Sequence, residues 1–385
     1  MVESTTLAIA ARAAAMQAAG IDVVSLSAGE PDFPTPSYVS AAGVRAIETG
    51  KTRYTATSGR PDVRKAARTW WHRVYDVDLG DGELIVTAGA KPALLMALMA
   101  LVEDGDRVLI PAPLWVSYPD LVAVAGGVPV TIPPAPERGF VLDPDTLRAE
   151  ARAHGARGII LNYPNNPSGA VASPAQMEAL LHAAIECGLW VLSDEIYGTL
   201  VYEGAQYRSA GSFAFAREHV VLVGGGTKSH TLTGWRIGFL AGPKDIIGAA
   251  GRVQSQVLGN PCTISQEAVL AMCSADDGDA QAERRAAFDA RRRWVMANVG
   301  TLPGWTLQPA PRGAFYALFD VRALCQRLSI DDLGLAQRLL EEAHVALVPG
   351  SAFAIPGFVR LSYAAGMDDL KLGAQRIAEF TEKAR

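Results

Sequence analysis

At 385 residues, 49% of them hydrophobic and 19% charged, the chain can bury a large core, which excludes disorder as its main state and leaves room for one large domain with a smaller companion. A formal net charge of -5 gives no electrostatic reason to expect a nucleic-acid partner, although a local basic pocket for a small anion stays open. The longest apolar run, 93–102, is too short to span a bilayer, and Glu3 and Arg12 break any basic-then-apolar leader pattern, so a cytoplasmic protein without a membrane partner is expected. Cys187, Cys262, Cys273 and Cys325 show neither Cys-x-x-Cys pairing nor histidines at zinc-ligand spacing; they read as thiols in a reducing compartment, with no metal.

Taken in chain order, short runs rich in β-branched residues predict strands at 84–87, 107–110, 128–132, 158–162, 189–193, 220–223 and 235–241. Most are continuously apolar rather than alternating, as strands covered on both faces are. Helix-length amphipathic segments at 92–102, 116–125 and 173–187 lie between them, the last opening on Ser173-Pro174, a capping hydroxyl followed by proline at the first helical position. Alternating strand and helix predicts an α/β fold with a mainly parallel, seven-stranded sheet between helices. The pattern changes near Ala275, where an acidic stretch leads into a charged helix, 280–299, whose Arg284, Arg285 and Arg291–Arg293 read as a solvated face. The expected organisation is an N-terminal segment, 1–35, joining a small C-terminal domain, 276–385, around a large domain, 36–275.

Ligands of open parallel sheets gather beyond the carboxyl ends of the strands, and the polar outliers of this sequence cluster there. Thr87-Ala88-Gly89-Ala90-Lys91 passes from strand through a small-residue turn into a helix, whose first free N–H groups suit a phosphate. Trp115, expected to open the helix after Pro111-Ala112-Pro113-Leu114, is either core or a flat stacking partner for an aromatic ring. Asn162-Tyr163-Pro164-Asn165-Asn166-Pro167-Ser168-Gly169 makes a turn on any reading and offers a fixed amide. Asp194, in Ser193-Asp194-Glu195-Ile196-Tyr197, is a helix cap or a carboxylate that keeps a pyridine nitrogen protonated. Lys228 follows Gly224-Gly225-Gly226-Thr227, and Arg236 comes eight residues later. A lone lysine there is a solvated surface group; an amine and an anion-binding guanidinium together are what pyridoxal phosphate asks for. Arg360, a charge inside the apolar run Val359-Arg360-Leu361, serves a structural ion pair or a substrate α-carboxylate.

Together these residues resemble the pyridoxal-phosphate-dependent aminotransferases of fold type I, most closely the bacterial aspartate aminotransferase subgroup. The resemblance runs through Ser27-Ala28-Gly29-Glu30-Pro31-Asp32-Phe33, Lys51-Thr52-Arg53-Tyr54, Trp115-Val116-Ser117-Tyr118-Pro119, Pro164 to Gly169, Ser193 to Tyr197, Lys228 to Gly238 and Arg360-Leu361-Ser362-Tyr363. It implies that Lys228 binds the cofactor covalently and shuttles the substrate proton, that Asp194 pairs with the pyridinium nitrogen, and that Tyr197 and Asn166 hydrogen-bond the ring oxygen. It also implies that Trp115 stacks on the ring and that Arg236 holds the phosphate with Gly89, Ala90 and Tyr54, the last from the neighbouring subunit of a homodimer. Arg360, with the Gly29 backbone nearby, then grips the α-carboxylate.

In the resembling subgroup a lysine at the position of Lys91 approaches the distal carboxylate of aspartate or glutamate, helped by small hydroxyls at the positions of Ser4, Thr6 and Ser255. The implied reaction moves the amino group of aspartate to 2-oxoglutarate by a two-step, ping-pong mechanism. Gly225 departs from the pattern, since a polar residue often stands there, and 257–259 is more apolar than usual. A carbon–sulfur β-lyase, or an aminotransferase of broad or aromatic specificity, uses the same Lys228, Asp194 and Arg360 and is the alternative.

Overall fold

A computed structural model describes residues 5–307 and 309–383, without the side chains of Thr5, Thr6, Leu7 and Ala10. Its strands are β1 (Val24–Ser25), β2 (Leu84–Thr87), β3 (Arg107–Pro111), β4 (Val128–Ile132), β5 (Gly158–Asn162), β6 (Trp190–Asp194), β7 (Val220–Gly224), β8 (Gly238–Ala241), β9 (Tyr316–Asp320), β10 (Val345–Ala346), β11 (Val348–Pro349) and β12 (Phe358–Ser362). Seven form one sheet in the order β2-β8-β7-β6-β5-β3-β4, in which β8 alone runs against the rest. This is the mainly parallel seven-stranded sheet that the alternation of strands and helices requires.

Residues alternate across the sheet. Leu109, Ile159, Leu161, Val191, Leu222 and Phe239 pack on one side with Trp70, Trp71 and Leu180. Val108, Ile110, Ile160, Leu192, Val221 and Leu240 face the helices Ala90–Leu101 and Lys244–Val257 on the other. With both faces covered the strands need no polar side, hence their unbroken apolar character. Truncating one such side chain, for example Leu192→Ala, costs about 2–5 kcal/mol in cores of this kind.

Around the second apolar cluster, of Phe288, Trp305, Phe315, Phe319 and Ile377, lies a three-stranded antiparallel sheet, β11-β12-β9. Near it β1, from the start of the chain, pairs in parallel with β10, Val24 opposite Val345. Among the described residues no helix is long and apolar enough to cross a membrane.

Four expectations need correction. The strand expected at 235–241 begins only at Gly238, because Arg236 takes a left-handed φ of 51° that no strand accommodates. The helix expected from 92 begins at Ala90, since proline in a first turn removes an N–H that has no helical partner anyway. Trp115 precedes its helix, Tyr118–Val124, instead of opening it. Arg291 and Arg292 are not a solvated face: both are buried, Arg291 donating to Asp32 Oδ1 at 2.7 Å and Arg292 to Asp289 Oδ1 at 2.8 Å and the Pro311 carbonyl at 2.9 Å. Local charge density suggested solvent, while Asp32 and the Pro311 carbonyl, brought in by the fold, join the neighbouring Asp289 in satisfying the buried guanidinium groups.

Candidate active site

Because six strands of the large sheet point one way and β8 returns, the chain segments leaving β2, β3, β5, β6 and β7 and the one entering β8 all meet at one edge. Register sharpens this: Asn162 lies opposite Asp194, Asp194 opposite Val223, and Gly224 opposite Phe239. A cavity of about 270 Å³ opens there, lined among others by Gly29, Ala90, Lys91, Trp115, Asn166, Asp194, Tyr197, Lys228, Arg236 and Arg360. Ten residues singled out from the sequence therefore converge, although they span more than three hundred positions.

Asp194 ends β6 at the floor. Its Oδ2 accepts the Tyr118 hydroxyl at 2.8 Å and its Oδ1 the Ile196 N–H at 3.2 Å. Burial pushes the carboxyl up to about 6, against the pull of Tyr118, the Ile196 amide and the charge of Lys228. The adjacent Glu195 faces away, its Oε1 accepting Ser193 Oγ at 2.9 Å and the Ala210 N–H at 2.8 Å. Only one of the two neighbouring carboxylates can serve the cavity, as alternation along a strand end dictates.

Lys228 reaches in from the turn after β7 and donates to the Gly29 carbonyl at 2.6 Å. Burial lowers its amine to about 8, partly offset by Glu30 and Asp194. An amine near neutrality is both nucleophile and proton carrier.

Gly89 caps the helix Ala90–Leu101 with φ 111°, and a Cβ there would stand 2.9 Å from Arg236 Nη2. The missing side chain lets the guanidinium settle against the helix N-terminus, a cradle of cation and free N–H groups shaped for an anion. Thr233 O accepts from Arg236 Nη1 at 2.9 Å and fixes the fork.

On the opposite wall Arg360 donates to Asn166 Oδ1 at 2.9 Å and to the Ser27 carbonyl at 2.6 Å. Its buried Nε has no acceptor among the described residues, and burial lowers the guanidinium below its ordinary value. A carboxylate arriving here would relieve both. Lys91 holds its ammonium 5.0 Å from the Trp115 ring centroid, lowered by burial and by nearby Arg236. Asn162 donates to the Asp194 carbonyl at 3.0 Å and accepts the Asn166 N–H at 3.0 Å, so one side chain ties the floor to the Asn-Pro turn.

Tyr54 does not join this cavity. It is 96% exposed and lines a separate surface recess with Arg53, Asn260 and Cys262. Ser255 is exposed on the helix Lys244–Val257 and does not line the cavity; Ser4 and the side chain of Thr6 lie outside the described residues. Sequence reasoning missed Tyr118, Thr227 and Tyr316, which line the cavity too. Tyr118 was within reach, standing three residues after Trp115 in a motif already singled out.

The family model described as aminotransferase class I and II matches residues 21–375. An aspartate aminotransferase of Streptomyces avermitilis is 41% identical, the alignment covering 100% of this chain and 95% of that protein. An aspartate/prephenate aminotransferase of Thermus thermophilus is 40% identical, with 100% and 97% covered. Among solved structures, an aspartate aminotransferase from Thermus thermophilus with maleate matches with a TM-score of 0.91 at 39% identity, covering 98% of this chain and 97% of that chain. One from Rhizobium meliloti matches at 0.93 and 37%, covering 99% and 97%.

Proposed function

This chain belongs to the class I and II aminotransferases, and we propose that it transfers the amino group of aspartate to 2-oxoglutarate using pyridoxal phosphate. The residues present fit that cofactor. The Gly89–Arg236 cradle suits its phosphate, Asp194 suits a protonated ring nitrogen, Tyr197 and Asn166 its ring oxygen, and Trp115 its flat face. Bound there, it supplies an electron sink for the pair left when the substrate Cα loses its proton.

The chain's own groups do the rest. Arg360 takes the α-carboxylate in a two-pronged contact, with the Gly29 backbone beside it, and orients the Cα proton toward Lys228. Lys228, with its amine near 8, accepts that proton as general base and returns it as general acid. A protonated ring nitrogen held beside Asp194 would favour its ionised form and so offset the burial that pushes the carboxyl up to about 6. Lys91 reaches the distal carboxylate, which selects four-carbon and five-carbon dicarboxylic substrates over alanine.

We read the assembly as a homodimer, with Tyr54 completing the phosphate site of the neighbouring subunit; its near-complete exposure supports this. We read 36–275 as the large domain and 1–35 with 276–385 as the smaller one, which the pairing of β1 with β10 supports. Four cysteines, none disulfide-bonded, support a cytoplasmic setting.

The observation that carries the proposal is the buried amine of Lys228 held 2.6 Å from the Gly29 carbonyl in a cavity shared with Asp194 and Arg360. Borohydride reduction of the holoprotein followed by peptide mapping tests it. The peptide containing Lys228 should carry the reduced cofactor, and aspartate added before borohydride should prevent that labelling. A cofactor-loaded protein labelled elsewhere refutes the proposal.

A further inference from the structure

Two phenols meet at the back of the cavity. Tyr316 opens β9 and is buried to 1% exposure, so at first sight it is a core residue. Its register says otherwise. Tyr316 lies opposite Ser362 and Leu318 opposite Arg360, which puts Tyr316 and Arg360 on one face of the sheet as diagonal neighbours. The Arg360 guanidinium carbon sits 4.4 Å from the Tyr316 ring centroid. At the far end of the ring the Tyr316 hydroxyl lies 2.8 Å from that of Tyr197. A Cβ at position 29 would come within 2.6 Å of the same hydroxyl, so glycine there is what admits the phenol. The Gly29 carbonyl is the acceptor of Lys228. One side chain therefore touches the carboxylate arginine, the phenol assigned to the ring oxygen, and the backbone that holds the reacting amine.

The direction of the phenol pair follows from proton counting. A phenol has a single proton. If Tyr197 spends its own on the ring oxygen of the cofactor, it must accept from Tyr316. A phenol that accepts a hydrogen bond becomes a stronger donor, and the effect is greatest away from water. The pair is dry: burial holds both phenols above their ordinary value, so both keep their protons near neutrality.

We infer that Tyr316 is a positioning residue of the amino-transfer reaction, its hydroxyl donating to Tyr197 and strengthening that phenol's bond to the cofactor ring oxygen, while its ring supports the Arg360 guanidinium. The inference rests on the pyridoxal phosphate reading above. The two roles use different parts of one side chain, so two substitutions separate them. Tyr316→Phe removes the hydroxyl and keeps the ring; Tyr316→Leu removes both.

The test is a pH titration of the visible band of the holoprotein, with maleate as a dicarboxylate probe. Donation by Tyr197 is worth most when the ring oxygen carries full negative charge, after the chromophore has lost its proton. Tyr316→Phe should therefore move the titration midpoint upward by about half a unit to one unit, the worth of one neutral hydrogen bond. Tyr197→Phe should move it further, and the double variant no further than Tyr197→Phe alone. Maleate should bind Tyr316→Phe within about twofold of wild type and Tyr316→Leu about threefold or more weakly, the worth of a lost cation–aromatic contact.

An unmoved midpoint in Tyr316→Phe, or full additivity in the double variant, overturns the hydroxyl role. Undiminished maleate affinity in Tyr316→Leu overturns the ring role. A wild-type protein showing no titrating visible band at all would instead remove the cofactor reading on which the inference stands.

Discussion

His230 Nε2 lies 3.0 Å from Asp277 Oδ2, joining the segment just after Lys228 to the residue that precedes the long helix Gly278–Asn298. The same oxygen accepts the Tyr38 hydroxyl at 2.8 Å and Gln281 Nε2 at 3.0 Å, and His230 Nδ1 in turn meets Ser229 Oγ at 2.7 Å. The loop bearing Lys228 is thus pinned from behind by a carboxylate at the start of a helix that follows some fifty residues later.

That pinning is pH-dependent in a defined direction. Burial alone would raise Asp277, but hydrogen bonds from His230, Gln281 and Tyr38 outweigh it and hold the carboxyl well below its ordinary range. A depressed carboxylate adds stability that is fully present above its unfolded value near 4 and fades as pH falls below it. Asp277→Asn should lower stability at pH 7 by about 1–3 kcal/mol, the worth of bonds to a charged acceptor. Urea unfolding at pH 7 and pH 3 checks this: the gap between variant and wild type should shrink at the lower pH.

Tyr118→Phe deletes the hydroxyl bonded to Asp194 Oδ2 and leaves the Ile196 amide as the remaining neutral donor. With that donor gone the carboxyl rises further above about 6. Cofactor affinity at pH 7 should fall about tenfold, the worth of a hydrogen bond to a charged group. Equilibrium dialysis against pyridoxal phosphate measures it, and an unchanged dissociation constant would contradict the role assigned to Asp194.

The cofactor-free chain should carry a stability cost from Lys228. Burial lowers its amine from 10.5 to about 8, so its contribution is present only above about pH 10 and is lost as pH falls through 8. Asp194 behaves oppositely: burial raises it from 3.8 to about 6, and its contribution, complete below about pH 4, is lost as pH rises through 6. Between those values the cofactor-free chain bears both costs. Lys228→Met should stabilise it at pH 7 by about 2–3 kcal/mol, a gain that closes above pH 10. Equal unfolding midpoints for the two proteins at pH 7 would be the contrary result.

Lys91→Ala should slow the half-reaction with aspartate and glutamate by about thirtyfold or more, as loss of a charge-assisted contact does, and leave alanine unchanged. Single-turnover spectra with each amino acid separate the cases. Equal loss for alanine would make Lys91 a contributor to the cofactor site instead.

The proposed homodimer admits a complementation test. Tyr54→Phe and Lys228→Ala chains should each be impaired as homodimers, yet refolding them together should restore about a quarter of the sites, because half the dimers are hybrids with one intact site each. Mixtures no better than the separate variants would place Tyr54 outside the neighbouring site.

Lys228, Asp194, Arg236 and Arg360 were legible from sequence because each departs from its surroundings: a lysine after glycines, a carboxylate ending an apolar strand, an arginine in a turn, an arginine inside β12. The alternation of strands and helices likewise settled the fold class, since a parallel sheet needs a covering segment between strands. Tyr118 and Tyr316 carry no such mark. Each reads as an ordinary core aromatic until pairing brings Tyr316 alongside Arg360, 44 residues away in the chain. Arg291 and Arg292 failed for the same reason, because the acceptor that buries Arg291 is Asp32, 259 positions distant. Short-range sequence determines which chemistry a residue has and which local structure it prefers. Its partner, and with it the environment that tunes its proton or its charge, is decided only when segments far apart in the chain pack together and the strands take up their register.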